Sequence, residues 1–193
     1  MKTVRKVAIK QDPKRVAQVY AERKILEQIR DPFLVQLHYA FVTTNYYIMV
    51  IDLCPGGELF YYLQKMQRLS VGQARFLFAE VLLAMEFVHA NRILYRDLKP
   101  ENILVDECGH LKLTDFGLCK ANFGPRDRTR SFVGSPEYMS PEILLGATYG
   151  YSVDFYTLGV LLYEMIVGLP PHYSEDKLKM YRDITTKDPP MPK

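Results

Sequence analysis

The stretch Tyr95-Arg96-Asp97-Leu98-Lys99-Pro100-Glu101-Asn102, followed downstream by Asp115-Phe116-Gly117, constrains this chain more than any other. Between Asn102 and Asp115 lie two short apolar runs, Ile103 to Val105 and Leu111 to Leu113. Glu107-Cys108-Gly109-His110 separates them, and its glycine predicts a hairpin turn. Closing that hairpin brings its open ends together, so Asn102 and Asp115 become neighbours. Two hard oxygen donors side by side, next to Lys99, suit a magnesium ion carrying phosphate oxygens. A polar loop beside an ordinary hairpin would account for any three of these residues, but not for the whole ordered string.

At 193 residues the chain can bury a substantial core without disulfides. A net charge of +3 makes no strong case for nucleic acid or an anionic membrane as partner. Cys54, Cys108 and Cys119 are widely spaced and form no metal-ligand pair, which reads as reduced thiols in a cytoplasmic or nuclear protein. Met1 to Lys6 lack the apolar stretch of a secretory signal. The run Leu158 to Val167 is too short to span a bilayer and carries Glu164, so no membrane segment is expected.

Along the chain, Val7-Ala8-Ile9-Lys10 reads as a short strand ending in lysine. Asp12 offers a helix cap with Pro13 at the first helical position, and the pattern stays helical through Ile29. Val19, Glu22, Ile25, Leu26 and Ile29 fall on one arc, with the glutamate near its middle. A carboxylate there either snorkels to solvent or finds a partner, because an unpaired buried charge costs several kcal/mol. Lys10 is the natural candidate. Leu34 to Val42 and Tyr46 to Leu53 read as strands around a turn at Thr43-Thr44-Asn45. Glu58 to Gln67 is helical, and Ser70 caps a long helix to about Asn91. The segment Ser152 to Val167 is apolar on nearly all sides and should be a buried helix, with Asp154 near its start in need of a partner. His89 reads as structural.

The ordered string resembles a protein kinase, with a YRD-type catalytic loop and a DFG triplet. The helix exit Asp31-Pro32-Phe33-Leu34-Val35, the run Asp115 to Lys120 and the segment Ser152 to Pro171 resemble the AGC group, with the Akt, SGK and PKC branches most similar. The resemblance implies an α+β, bilobal fold. Residues 1–53 would be a partial small lobe and 54–193 a larger, mostly helical lobe. It also implies an ATP- and magnesium-dependent serine/threonine kinase. Asp97 would be the catalytic base, Lys99 would stabilise the transferring phosphoryl group, and Asn102 and Asp115 would hold magnesium. Lys10 and Glu22 would form the ion pair that positions the nucleotide's phosphates. The backbone of Asp52 and Cys54 would meet the adenine edge, with Ala8 and Leu104 sandwiching the ring and Ile51 and Thr114 completing the pocket. Asp154 would hold the backbone of the catalytic loop.

By the same resemblance Ser131 stands at the activating phosphosite, with Arg96 and Lys120 as its basic cradle. Lys99 with Ser135 is the serine/threonine pairing. Phe132, Pro136 and Met139 would receive the residue after the target hydroxyl. Glu58, Glu101 and Glu164 match acidic positions with which basophilic members read arginine. Partners would be Ser/Thr proteins flanked by Arg or Lys, and an upstream activating kinase.

The chain departs from the family in lacking a glycine before Gly56, so no glycine-rich loop is expected. Lys10 stands close before Glu22, so the AGC group's small helix B is expected to be missing, with Pro13 to Arg15 unwound to let the pair meet. The family's last helices, and an arginine to pair with Glu142, are expected to be lacking. A non-catalytic, pseudokinase-like scaffold is the competing function.

Overall fold

The computed structural model describes residues 1–191, so the last two residues of the larger lobe lie outside that range. Strand β1 (Lys2–Arg5) leads into a single-turn helix α1 (Lys6–Ile9) and then α2 (Pro13–Gln28). Strands β2 (Leu37–Val42) and β3 (Tyr46–Ile51) complete an antiparallel sheet in the order β1-β3-β2. A second three-stranded sheet follows from β4 (Gly57–Glu58), β5 (Ile103–Val105) and β6 (Leu111–Leu113), in the order β4-β5-β6. The remaining helices are α3 (Leu59–Met66), α4 (Val71–Ala90), α5 (Pro141–Leu144), α6 (Ser152–Val167) and α7 (Lys177–Thr186). The architecture is the α+β, bilobal arrangement expected.

Most of these elements form where the sequence places them, and for the anticipated reasons. The Asp12 carboxylate accepts from the backbone N–H groups of Lys14 and Arg15, and Pro13 opens α2, so the first turn is intact rather than unwound. Ser70 and Gln73 form a reciprocal capping box at the start of α4. Gly168 ends α6 at φ 100, a left-handed conformation that glycine adopts without penalty. Helix α7 is an element that the sequence reading did not place.

The first ten residues require a correction. The run Val7 to Ile9 is helical, not a strand, because only Ile9 is buried while Val7 is 76% exposed. The true strand is Lys2–Arg5, whose half-buried and exposed residues alternate and which pairs Lys2 with Met49 and Val4 with Tyr47. Helix α1 occupies the place of the small helix expected to be missing.

A single core joins α2, α4 and α6 to the hairpin of β5 and β6, through Ile25, Leu34, Met85, Val88, Leu98, Ile103, Phe116 and Leu161. The fully buried side chain of Asp154, on α6, lies beneath the loop that precedes β5. Its carboxylate accepts from the Tyr95 N–H at 2.9 Å and the Arg96 N–H at 2.8 Å. His89 Nε2 on α4 lies 2.8 Å away, which settles its structural role. Three donors thus converge on one fully buried carboxylate. Replacing Asp154 by Ala is expected to lower unfolding free energy by about 3–5 kcal/mol, since two consecutive backbone donors and His89 lose their acceptor. Urea denaturation followed by circular dichroism would measure the loss.

Candidate active site

The hairpin closes as its sequence requires. Ile103 pairs with Leu113 and Val105 with Leu111, and the Thr114 N–H donates to the Asn102 carbonyl at 2.9 Å. Asn102 and Asp115 therefore stand at adjacent strand ends. The Asn102 amide donates to the Asp97 carbonyl at 2.8 Å and to Asp97 Oδ2 at 3.0 Å. Its nitrogen is thereby used within the loop, leaving the amide oxygen without a protein partner among the described residues. Asp115 has φ 56, a left-handed conformation uncommon for a side chain other than glycine. Its Oδ1 accepts from the Gly117 N–H at 3.3 Å. Asp115 Oδ2 and Asn102 Oδ1 are hard oxygen donors, and this donor set fits a magnesium ion.

Lys2, not Lys10, is the lysine that reaches Glu22. Its ammonium lies 2.7 Å and 2.9 Å from the two oxygens of Glu22 and 3.3 Å from Asp115 Oδ1. Lys10 is exposed at the end of α1. Burial pushes the Glu22 carboxyl up, against the opposing pull of Lys2. Burial also works to lower Lys2, but the charges of Glu22 and Asp115 outweigh it and leave the ammonium above its ordinary value. The misassignment follows from the strand error: a lysine on an exposed helix end cannot face the cleft. Ala8 is likewise exposed on α1, a helix packed on β1 and α2, and offers no roof for a base.

Asp97 is 8% exposed, and its Oδ1 accepts from Ser135 Oγ at 2.9 Å. Lys99 donates to the same Ser135 hydroxyl at 2.7 Å and stands 3.5 Å from Asp97 Oδ2. A carboxylate, an ammonium and a hydroxyl thus form a closed triangle beside the hairpin mouth. In the hinge, the segment that joins β3 to β4, Ile51, Asp52 and Cys54 are partly accessible, as is Leu104 on β5. Neither the Asp52 carbonyl nor the Cys54 N–H has a backbone partner among the described residues. Thr114 gives its carbonyl to the Tyr95 hydroxyl, so its backbone braces the loop.

The basic cradle is formed only in part. The Arg96 guanidinium donates to Ser131 Oγ at 2.7 Å and to the Leu118 carbonyl at 2.7 Å. The Lys120 ammonium instead sits over the Phe123 ring, 5.6 Å from its centroid. The buried Tyr149, which sequence reasoning missed, places its hydroxyl 3.1 Å from Ser131 Oγ and donates to the Ser131 carbonyl at 2.7 Å. Nothing local distinguishes that tyrosine. Only the pairing of Thr129 with Tyr149 brings it to the loop.

Of the acidic trio, Glu58 stays exposed on β4, paired in register with Leu104, while Glu101 lies near enough to Glu164 for its charge to act on it. Tyr138 donates to the Glu164 carboxylate. Glu101 Oε2 is buried and has no hydrogen-bond partner among the described residues. Burial, reinforced by the charges of Glu101 and Glu137 and opposed by the Tyr138 hydroxyl, raises Glu164 to about 7. Phe132 is 60% exposed and Pro136 opens a short 3-10 turn. Met139 is buried with Leu94, Phe123 and Ile143, so it backs that surface rather than offering it. Glu142 is half-buried and accepts from the Ser152 hydroxyl at 3.1 Å, so the expected bare carboxylate has a partner.

A model of the protein kinase domain family matches residues 1–191. The chain is 50% identical over 184 residues to the serine/threonine protein kinase ypkA of Aspergillus fumigatus, covering 95% of this chain and 29% of that protein. It is 50% identical over 169 residues to the serine/threonine-protein kinase YPK1 of Saccharomyces cerevisiae, covering 88% of this chain and 25% of that protein. Human Sgk2 is 49% identical over 172 residues, covering 89% of this chain and 47% of that protein. The chain thus spans between a quarter and a half of the length of these relatives. No helix among the described residues is long and apolar enough to cross a membrane. Matched over nearly all its length, the chain belongs to the protein kinase domain family, and its relatives here are serine/threonine kinases of the AGC group.

Proposed function

We propose that this chain carries the catalytic core of an ATP- and magnesium-dependent serine/threonine protein kinase that prefers substrates with arginine near the target hydroxyl. The observation that carries the reading is Lys2 bridging Glu22 and Asp115, which joins the small lobe to the aspartate at the hairpin mouth. Magnesium held by Asn102 and Asp115 would supply charge neutralisation for the phosphates. Lys2 would bind phosphate oxygens while Glu22 orients it. The Asp97 carboxylate would accept the proton of the incoming hydroxyl as its oxygen bonds to the terminal phosphorus of ATP and the bond to ADP breaks. Lys99, held between Asp97 and Ser135, would stabilise the transferring group's charge. The likeness to named serine/threonine kinases supports the same reading. A cytoplasmic or nuclear location and an upstream activating kinase belong to this proposal.

Phosphate transfer from ATP to an arginine-containing serine peptide tests it directly. Asp97→Asn is expected to lower turnover about 10²–10⁴-fold. Lys2→Met should be severely impaired while Lys10→Met stays near wild type. Transfer unaffected by Asp97→Asn would refute the catalytic assignment and favour the scaffold.

The buried, unpartnered oxygen of Glu101 beside Glu164 suits a substrate guanidinium. Binding a cation requires Glu164 ionised, and its carboxyl holds a proton below about 7 in the free protein. Affinity for the arginine peptide should therefore rise as pH climbs through neutrality and level off above it. Calorimetric titration from pH 6 to 8 would follow this, and Glu164→Gln should flatten the profile.

Arg96 already holds the Ser131 hydroxyl. Phosphorylation there would add nearly two negative charges beside Arg96 and Tyr149 and order the segment. Phosphorylated protein is expected to resist limited proteolysis between Lys120 and Arg130, and Ser131→Ala to lose that protection together with most activity.

A further inference from the structure

The hinge residue Asp52 is held by donors from β2, from the residue just before it and from β6. His38 on β2 places Nε2 2.7 Å from Asp52 Oδ1. The Gln36 N–H donates to Asp52 Oδ2 at 3.2 Å, and the Asp52 N–H returns a bond to the Gln36 carbonyl at 3.0 Å. Lys112 on β6 donates to Asp52 Oδ2 at 3.2 Å and to the Pro32 carbonyl at 3.1 Å. Asp52 and Lys112 are both mostly shielded, with side chains 19% and 18% exposed. Burial works against the carboxylate, but its donors together hold it below the ordinary range.

The position of Lys112 gives this cluster a consequence beyond stability. Leu111 and Leu113 point into the core, so Lys112 projects from the opposite face of β6. Its cross-strand neighbour on that face is Leu104. One side chain thus links β6, paired with the strand bearing Leu104, to the carboxylate of Asp52, whose peptide carbonyl has no backbone partner among the described residues. Rotation of that peptide would replace an acceptor by a misdirected one, and an acceptor is what separates an adenine amino group from a guanine carbonyl.

We infer that Lys112 and His38 are positioning residues that, by clamping Asp52, fix the hinge carbonyl and so set the preference for adenine over guanine nucleotides. This rests on the nucleotide reading above and adds to it residues that touch no substrate.

Equilibrium binding of ADP and GDP to the full chain, wild type against Lys112→Met and Lys112→Arg, tests the inference. Lys112→Met should weaken ADP about tenfold, the loss of one hydrogen bond from the adenine amino group to a carbonyl that no longer faces it, while GDP changes little. Lys112→Arg, which keeps the donors, should restore most of the selectivity. Thermal melts establish that each variant is folded. Should Lys112→Met fail to fold, His38→Leu at the exposed end of the cluster should lower the ADP-to-GDP ratio about threefold. An unchanged ratio in a folded variant, or equal weakening of both nucleotides, would overturn the inference. Wild-type protein that binds neither nucleotide would instead overturn the reading beneath it, and this inference with it.

Discussion

The buried carboxylate of Asp154 is the fixed point from which the site is built. It is fully shielded from solvent, and an unpaired charge at such a place would be prohibitively costly. The structure satisfies it with two consecutive backbone N–H groups and a histidine, from α4 and the loop before β5. That requirement pins Tyr95 and Arg96, and Arg96 accepts a left-handed φ of 72 as a consequence. Asp97 then follows in one orientation, with Asn102 reaching back to it across the short turn. Helix α6 is thus both a buried core element and the template for the loop that carries Asp97.

A second electrostatic problem ties the smaller lobe to this frame. Glu22 sits on the apolar face of α2 and cannot remain charged there alone. Lys2 answers it from the edge strand and reaches Asp115 at the same time. One cation shared by two carboxylates joins the β1 sheet, α2 and the hairpin mouth. The hinge clamp around Asp52 makes a parallel connection on the other side of β6. The site is therefore held both from the middle of β6, at Lys112, and from just past its end, at Asp115.

Several features were legible because their causes are local. The hairpin follows from two apolar triplets around a glycine turn, and the caps at Asp12 and Ser70 follow from side-chain oxygens beside a helix start. That Glu22 and Asp154 needed partners was legible too, from charge on apolar faces. Which lysine served Glu22 was not. Val7, Ala8 and Ile9 look like a strand by composition, whereas the alternation that made Lys2–Arg5 the strand emerges only on pairing with β3. A strand at Val7 to Lys10 would carry Lys10, Ala8 and a missing helix with it, and pairing Lys2–Arg5 with β3 changes all three together.

What the sequence determined by itself is the chemistry: the acids, amides and cations of one ordered string, and the short-range geometry that brings Asn102 to Asp115. Hydrogen-bonding capacity and turn preference act over a few residues, so they can be read in order. Tertiary structure decided the partners. The turn of α1 delivers Lys2 to Glu22, the Thr129–Tyr149 bridge brings Tyr149 to Ser131, and the outer face of β6 sets Lys112 against Asp52. Such contacts join residues far apart along the chain, and a charge selects among all the groups that packing brings within its reach, which no local pattern records.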